Sequence, residues 1–176
     1  MPKTQTKTKK TSVKTAQKSS SSSKLTTEEI IRKVLDGKTI PSGNTDKDKS
    51  LRADIITKFY KIWGENNPSR KMYNNNLNDF INIRQISVIE TAKHASKSYL
   101  STLAVLQLDS ILQLAKKVRI VNTKPNDKNQ NSFEKIIKME YNLVGIGKVS
   151  LTVGIHRPNR DKVKDKVQYC ITVIKA

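Results

Sequence analysis

The sequence is poor in cysteine and in long apolar runs, and each shortage excludes a class of protein. A single cysteine, Cys170, has no partner for an internal disulfide, so the chain is not a disulfide-stabilised secreted domain. No apolar run approaches the roughly 18 to 20 residues of a membrane-spanning helix. The N-terminal residues also lack the apolar stretch of a signal peptide. We therefore expect a cytosolic protein without a membrane partner.

Motifs for metals and cofactors are missing as well. No Cys/His spacing is typical of a zinc site, and no Asp-rich loop is typical of an EF-hand. Gly145-Ile146-Gly147 is too short for a dinucleotide fingerprint, and no P-loop is present. We expect neither a metal nor a cofactor, and we interpret the two glycines as a turn.

Acidic residues are few beside basic ones. The chain has 34 Lys and Arg residues against 15 Asp and Glu residues, a formal net charge of +19. Self-repulsion of this size opposes compaction, whereas contact with phosphates releases condensed counterions. Nucleic acid, DNA or RNA, is therefore the expected partner; a charge that merely keeps the protein soluble is the alternative.

The first 24 residues carry much of this charge and few bulky apolar side chains. They contain no acid, many Ser and Thr residues, and only Val13 and Met1 as large apolar residues before Leu25. Such a composition has nothing to offset the entropy of ordering, so we predict a disordered basic arm over residues 1–24. The alternative is an inert solubilising tail. The seven lysines of the predicted arm are Lys3, Lys7, Lys9, Lys10, Lys14, Lys18 and Lys24.

Residues 25–80 are predicted to be a helical N-terminal segment. Thr26 and Glu29 match a capping box, and Gly37 a helix stop. After a loop over 38–49, Ser50 is expected to cap a second helix, which ends before Gly64 and Pro68. The apolar stripe of that helix is predicted to be Leu51, Ile55, Phe59, Ile62 and Trp63, with Phe59, Tyr60 and Trp63 in the core.

Residues 81–176 are predicted to form the main α+β domain. A short strand is expected over 80–84, and Ser87 with Glu90 matches a second capping box. The helix after it has an apolar stripe of Val88, Ala92, Ala95 and Tyr99. A helical stretch from Leu103 to Lys117, in which Asp109 caps a last helix, leads into a strand over 118–121 and a polar loop over 123–131.

The last third alternates apolar and polar residues in three runs, which indicates three half-buried strands over 137–143, 149–155 and 167–173. Matching the apolar faces pairs Tyr141 with Leu151 and leaves 145–147 as the hairpin loop. It also pairs Val153 with Tyr169, which makes 149–156 the central strand. The predicted fold class is α+β, with N-terminal helices packed on a C-terminal antiparallel meander.

Two candidate sites follow from this arrangement. On the polar face the predicted register aligns Glu140, Thr152 and Cys170, either as a solvated face or as a shallow surface for phosphates and bases. Cations at the hairpin ends would position a nucleic-acid backbone there. The predicted binding residues are the seven arm lysines with Lys148, Arg157, Arg160 and Lys162.

The second candidate site is catalytic. A metal-independent ribonuclease needs a general base, a general acid and a cation that stabilises the pentacovalent phosphate. The chain has only two histidines, His94 and His156. Together with Arg157 they have the chemistry for these roles. A histidine on a protein surface more often has no catalytic role. We therefore favour a binding protein over an enzyme.

Three segments carry a resemblance to a known family. The segments "SVIETAKHASKSY" (87–99), "LDSILQLAKKV" (108–118) and "YNLVGIGKVSLTVGI" with "VQYCITV" (141–173) resemble the large polyvalent protein-associated domains of phages and mobile elements. Those domains resemble the barnase, EndoU, colicin and RelE-like nuclease superfamily, and the likeness covers about residues 81–176. It implies that His94 lies where the helix of these domains carries a polar residue. It also places Ser150, Thr152 and His156 on strands that carry active-site residues in active relatives.

Together these observations predict a sequence-tolerant nucleic-acid-binding protein of a phage or mobile element. One alternative is a toxin-like endoribonuclease. The other is a virion or scaffold protein associated with a packaged genome, in which case the protein would occur in the virion as well as in the host cytosol. The oligomeric state does not follow from the sequence.

Overall fold

A computed structural model describes residues 23–156 and 168–176. In these parts the chain forms α1 (Thr27–Leu35), α2 (Asp46–Asn66), β1 (Lys71–Asn74), β2 (Asp79–Asn82), α3 (Gln85–Ala95), α4 (Tyr99–Val105), α5 (Leu108–Leu114), β3 (Lys116–Asn122), β4 (Phe133–Leu143), β5 (Gly147–His156) and β6 (Gln168–Lys175). The predicted α+β class is confirmed. Apart from residues 23 and 24, the predicted basic arm lies outside the described residues.

Helix α1 forms as its local sequence predicts. The Thr26 hydroxyl accepts a hydrogen bond from the Glu29 backbone N–H, and the Glu29 carboxylate accepts one from the Thr26 N–H, so the capping box is confirmed. After Leu35 the backbone turns left-handed at Asp36 and at Gly37, with φ of 47° and 75°. Glycine adopts this conformation at little cost, which explains the stop at this point.

The cap of helix α2 is Thr45, five residues before Ser50, at which we expected it. Thr45 and Asp48 form a second capping box, whose Asp48 oxygen accepts from the Thr45 N–H and hydroxyl. The predicted apolar stripe is also wrong at one position. Leu51 is exposed, and its neighbour Arg52 is completely buried. Phe59, Tyr60 and Trp63 are buried as predicted.

The hairpin of β1 and β2 was only half predicted. The strand expected over 80–84 is β2, which pairs with the unpredicted β1 so that Tyr73 lies opposite Phe80. Asn74, at the end of β1, is completely buried. Its amide donates to the carbonyl oxygens of Leu112 and Ala115 at the end of α5.

The helices between β2 and β3 depart from the predicted caps. Helix α3 begins at Gln85, so Ser87 is a buried residue inside the helix instead of its cap. The helix ends at Ala95, and Tyr99 starts the separate helix α4. Asp109 lies inside α5 and does not cap it. Its carboxylate accepts from the Trp63 indole N–H at 2.7 Å and from the Thr27 hydroxyl at 2.9 Å, which ties α5 to α2 and α1.

The strands form one six-stranded sheet in the order β1-β2-β6-β5-β4-β3. The predicted meander of β4, β5 and β6 is confirmed as antiparallel, with β5 in the centre. Its register differs by two residues from the prediction: Tyr141 pairs with Val149, and Val153 with Ile171. A shift of two keeps the side chains of β4 and β5 on their predicted faces. The hairpin loop is therefore 144–146, and Glu140 pairs with Ser150 instead of lying in a row with Thr152 and Cys170. Beyond a bulge at Thr152 and Val153 the end of β6 is displaced by one more residue, so that Leu151 pairs with the buried Ile174.

The helices cover one face of this sheet. Trp63 and Leu108 from the helices share a single apolar core with Met139, Val149 and Leu151 of the sheet. The opposite face, which we call the open face, carries a separate small cluster of Phe133, Ile136 and Val121. No helix in residues 23–156 and 168–176 has the length and apolar character needed to cross a bilayer.

Strand β3 is an edge of the sheet and is exposed along most of its length. Lys116, Lys117 and Arg119 lie beside the exposed side chains of Val118 and Ile120. Cations on an edge strand oppose edge-to-edge pairing with another sheet. We assign these three charges to that role.

Candidate nucleic-acid interface

Four strand ends meet at one end of the sheet. His156, the last residue of β5, lies opposite Phe133, the first paired residue of β4, and opposite Gln168, the first residue of β6. Strand β2 runs parallel to β6 and therefore also begins at this end, and its last residue, Asn82, pairs with Cys170, two residues into β6. We call this the His156 end of the sheet.

The Phe133 ring lies at the centre of the contacts on the open face at the His156 end. Its ring lies over Gly154, at which a Cβ atom would overlap the ring. The ring centroid is 4.6 Å from that of His156, and the Arg84 guanidinium lies 5.5 Å from the Phe133 centroid. Glycine at 154 therefore lets the ring lie flat on the sheet, where it contacts both Arg84 and His156.

A small cavity opens beside this ring. Arg84 is the residue before the first turn of α3, and its Nε atom is buried without a hydrogen-bond partner among the described residues. Helix α3 begins without a side-chain cap and without an acidic residue in its first turn. The backbone N–H groups there add to the positive potential. The cavity is lined by Arg84, Ile86, Ser87, Glu90, Lys128, Ser132 and Phe133.

A third cation lies at the same end of the sheet. Lys71 begins β1 opposite Asn82, and its ammonium is 4.8 Å from the centroid of the Phe80 ring. In the described parts of the chain, Lys71, Arg84 and Lys128 form no ion pair with a carboxylate. Glu90, the carboxylate that lines the cavity, lies 3.4 Å from His94 Nε2. Among the described residues, the three cations of this end therefore outnumber the one carboxylate of the cavity.

The environment of His156 favours its neutral form. Partial burial lowers the pKa of His156 below the usual 6.5, and the nearby Arg84 charge lowers it further. A backbone hydrogen bond at Ser132 opposes this shift. At neutral pH the imidazole is uncharged, so the charge of this site comes from Arg84, Lys128 and Lys71.

The lowered pKa of His156 predicts a loss of stability in mild acid. The unfolded chain binds a proton at this histidine more readily than the folded chain does, so the folded state is disfavoured once the pH falls below about 6.5. In His156→Gln this contribution is absent. We expect the wild type to lose more unfolding free energy than His156→Gln between about pH 7 and pH 5, as measured by urea denaturation. Equal losses in the two proteins would contradict the lowered pKa.

The predicted catalytic residues do not converge. His94 is exposed on α3 and pairs with Glu90 at 3.4 Å, Nε2 to Oε2. It lies ten residues after Arg84, which corresponds to about 15 Å along a helix. His156, beside Arg84, is therefore too far from His94 to act on the same phosphate. Arg157 lies outside the described residues.

The predicted nucleic-acid-binding residues do not lie together in the described parts of the chain. Lys148 lies at the other end of β5, about 27 Å from His156 along an extended strand. Its ammonium is 3.3 Å from the Glu140 carboxylate. Lys24 precedes α1 and is exposed. Lys3, Lys7, Lys9, Lys10, Lys14, Lys18, Arg160 and Lys162 lie outside the described residues.

The sequence did not single out Lys71, Arg84 or Lys128. Arg84 stands between a strand and a helix, which is a weak signal for a site near a helix start. Lys71 belongs to a strand that was not predicted, and Lys128 was one of two lysines in a polar loop. Only the pairing of β2 with β6 brings them to one end of the sheet.

Comparison with protein-family models, with curated proteins and with solved structures found no match for the chain. The resemblance to phage and mobile-element domains stays a prediction that depends on the quoted segments. Within the described residues, no three His, Cys, Asp or Glu side chains are grouped closely enough to hold a metal ion.

Proposed function

We propose that the chain binds nucleic acid with little sequence preference, through phosphate contacts at the His156 end of the sheet. The observation that carries the proposal is the grouping of Lys71, Arg84 and Lys128 without carboxylate partners in the described parts of the chain. Cations placed in this way are neutralised by phosphates, with release of counterions. Contacts to phosphates carry no sequence information, which is why we expect tolerance of sequence.

Arg84 is the central residue of this interface. Its guanidinium is held beside the Phe133 ring, so less side-chain freedom is lost when it binds an anion. Arg84 also lines the cavity beside Phe133, where a phosphate oxygen would accept hydrogen bonds from its terminal guanidinium nitrogens. The lysines of the predicted arm, with Arg157, Arg160 and Lys162, would add affinity of the same unspecific kind.

We expect binding to weaken steeply as salt is added. For a fluorescent single-stranded oligonucleotide of about 30 nucleotides, each phosphate contact contributes about 0.7 to the slope of log K against log[salt]. In Arg84→Gln/Lys128→Gln the slope should be shallower by about 1.4, with weaker binding at about 50 mM salt. Fluorescence anisotropy between about 50 and 200 mM salt measures both quantities.

A matched control removes the same charge elsewhere. Lys33→Gln/Lys58→Gln changes two exposed lysines on α1 and α2, on the helical side of the sheet, and should leave the slope nearly unchanged. Deletion of residues 1–24 should flatten the slope, because seven lysines are removed. Failure of the wild type to bind any polynucleotide at low salt would reject the proposed function. An equal effect of both double variants would reject the His156 end as its location.

A further inference from the structure

Two aromatic side chains are exposed on the open face. Tyr73 and Phe80 are 41% and 43% exposed, whereas Phe59 and Trp63 are at most 1% exposed. Tyr73 and Phe80 lie directly opposite each other across β1 and β2, with ring centroids 5.3 Å apart and an angle of 78° between the rings. The pair therefore leaves a large aromatic surface in contact with solvent.

The sheet register places this pair on the same face as the interface. Ile81, between Phe80 and Asn82, is completely buried in the core, so its two neighbours point the opposite way. Asn82 lies at the same level as Cys170, and Cys170 at the level of Gly154, over which Phe133 lies. The Tyr73–Phe80 pair is thus continuous with the open face and close to the cations of its His156 end.

Cross-strand packing explains only part of this arrangement. Aromatic pairs on neighbouring strands stabilise a hairpin, and an edge-to-face pair is a favourable geometry. An aromatic pair that is covered from solvent would stabilise the hairpin equally well, so hairpin stability does not explain why these two rings are exposed. Lys71 lies in addition over the Phe80 ring, so a cation stands next to the exposed aromatic surface.

An exposed aromatic ring beside a cation can bind an unpaired nucleotide through both its base and its phosphate. The face of a nucleobase stacks on an aromatic side chain, and the phosphate of the same nucleotide then lies near the ammonium. Bases inside a duplex are already stacked on each other and are not available. Such a surface therefore distinguishes single strands from duplexes.

We propose that Tyr73 and Phe80 stack on unpaired bases, so that the protein prefers single-stranded to double-stranded nucleic acid. This inference depends on the proposed function, because the phosphate contacts at the His156 end supply part of the affinity. The stacked bases add affinity that is independent of sequence, since every base has an aromatic face.

The test compares wild type with Tyr73→Leu/Phe80→Leu on three probes of equal length. The probes are a single-stranded oligonucleotide, its duplex, and an abasic strand that keeps all phosphates and lacks the bases. We expect the variant to bind the single strand about tenfold more weakly and the duplex with unchanged affinity. The wild type should lose about the same factor on the abasic strand, and the variant should lose little further.

Two controls separate the fold from the contact. Tyr73→Phe keeps the ring and should bind the single strand as the wild type does, while thermal unfolding of each variant shows whether the hairpin persists. Equal affinity of the wild type for the single strand and the abasic strand would overturn the stacking proposal and leave phosphate binding intact. No binding to any probe at low salt would overturn both proposals.

Discussion

Replacement of Arg52 by methionine is expected to lower the free energy of unfolding by about 3 kcal/mol. Arg52 is completely buried, and its guanidinium donates to three backbone carbonyl oxygens. Nε bonds to Ser96 at 2.7 Å, and Nη1 bonds to Pro41 at 2.8 Å and to Gly43 at 2.6 Å. One side chain thus fixes the loop before α2 and the end of α3.

The size of this effect is limited by desolvation. A hydrogen bond to a charged donor contributes about 1.5 to 3 kcal/mol, which for three bonds would exceed our estimate. Burial of the guanidinium costs several kcal/mol, however, and methionine avoids that cost. The carbonyls of Pro41 and Gly43 belong to a loop that water can reach after the change. The carbonyl of Ser96, a buried residue, is harder to hydrate and accounts for much of the loss.

The neighbouring residue provides the control. Leu51 is 43% exposed, so Leu51→Ala should change the unfolding free energy by about 0.5 kcal/mol. Arg52→Lys keeps the charge but not the planar group that reaches two segments at once, and we expect an intermediate loss. Urea denaturation monitored by the single tryptophan, Trp63, measures all three variants. An Arg52→Met protein as stable as the wild type would show that these hydrogen bonds contribute no net stability.

The local features of the fold were the predictable ones. The Thr26 capping box depends on residues three positions apart, so its pattern is complete in the sequence. The alternation along β4 and β5 assigns each side chain to a face, and those assignments hold because the face depends only on odd or even position. The exact pairing depends on where the hairpin turns. The loop is 144–146 instead of 145–147, one residue earlier at the same length, and the pairs of β4 with β5 are shifted by two as a result.

Features that depend on distant partners could not be predicted. Leu51 and Arg52 both lie near the apolar side of α2, and hydrophobicity alone favours Leu51 as the buried residue. The structure buries Arg52 because carbonyls of two remote segments surround it. This also changes the interpretation of the net charge, since at least one of the 34 basic residues is structural and is not available to a phosphate.

The interface shows the same limit. The excess of positive charge was evident from composition, but its location was not. Arg84 and His156 are far apart in sequence, and the parallel pairing of β2 with β6 brings them together. The alternation within a strand assigns its side chains to faces, but it does not show which distant strand is its parallel neighbour. The prediction that His94 and His156 share a catalytic site is wrong for the same reason. The sequence does not show which end of α3 lies near His156.

Replacement of Asn74 by leucine is expected to lower the free energy of unfolding by about 3 to 4 kcal/mol. The completely buried amide makes four hydrogen bonds: its nitrogen donates to Leu112 at 2.6 Å and Ala115 at 3.0 Å, and its oxygen accepts from the N–H groups of Asn76 at 3.0 Å and Leu77 at 2.8 Å. The two carbonyls are among those that a helix end leaves unsatisfied. Leucine has a similar volume and satisfies none of these groups.

Two further variants test whether hydrogen bonding, and not shape, is responsible. Asn75→Leu makes the same change at an exposed neighbour and should cost about 0.5 kcal/mol or less. Asn74→Asp keeps the shape and the two acceptor contacts but turns a carboxylate towards the two carbonyls, so it should be about as destabilising as leucine at neutral pH. Protonation of the carboxylate restores one donor. The loss of unfolding free energy in Asn74→Asp relative to the wild type should therefore shrink as the pH is lowered towards about 4 to 5, because burial raises the pKa of such a carboxyl. A deficit that does not change with pH would contradict the role of the amide as a donor to α5, and with it the attachment of the Tyr73–Phe80 hairpin to the helical layer.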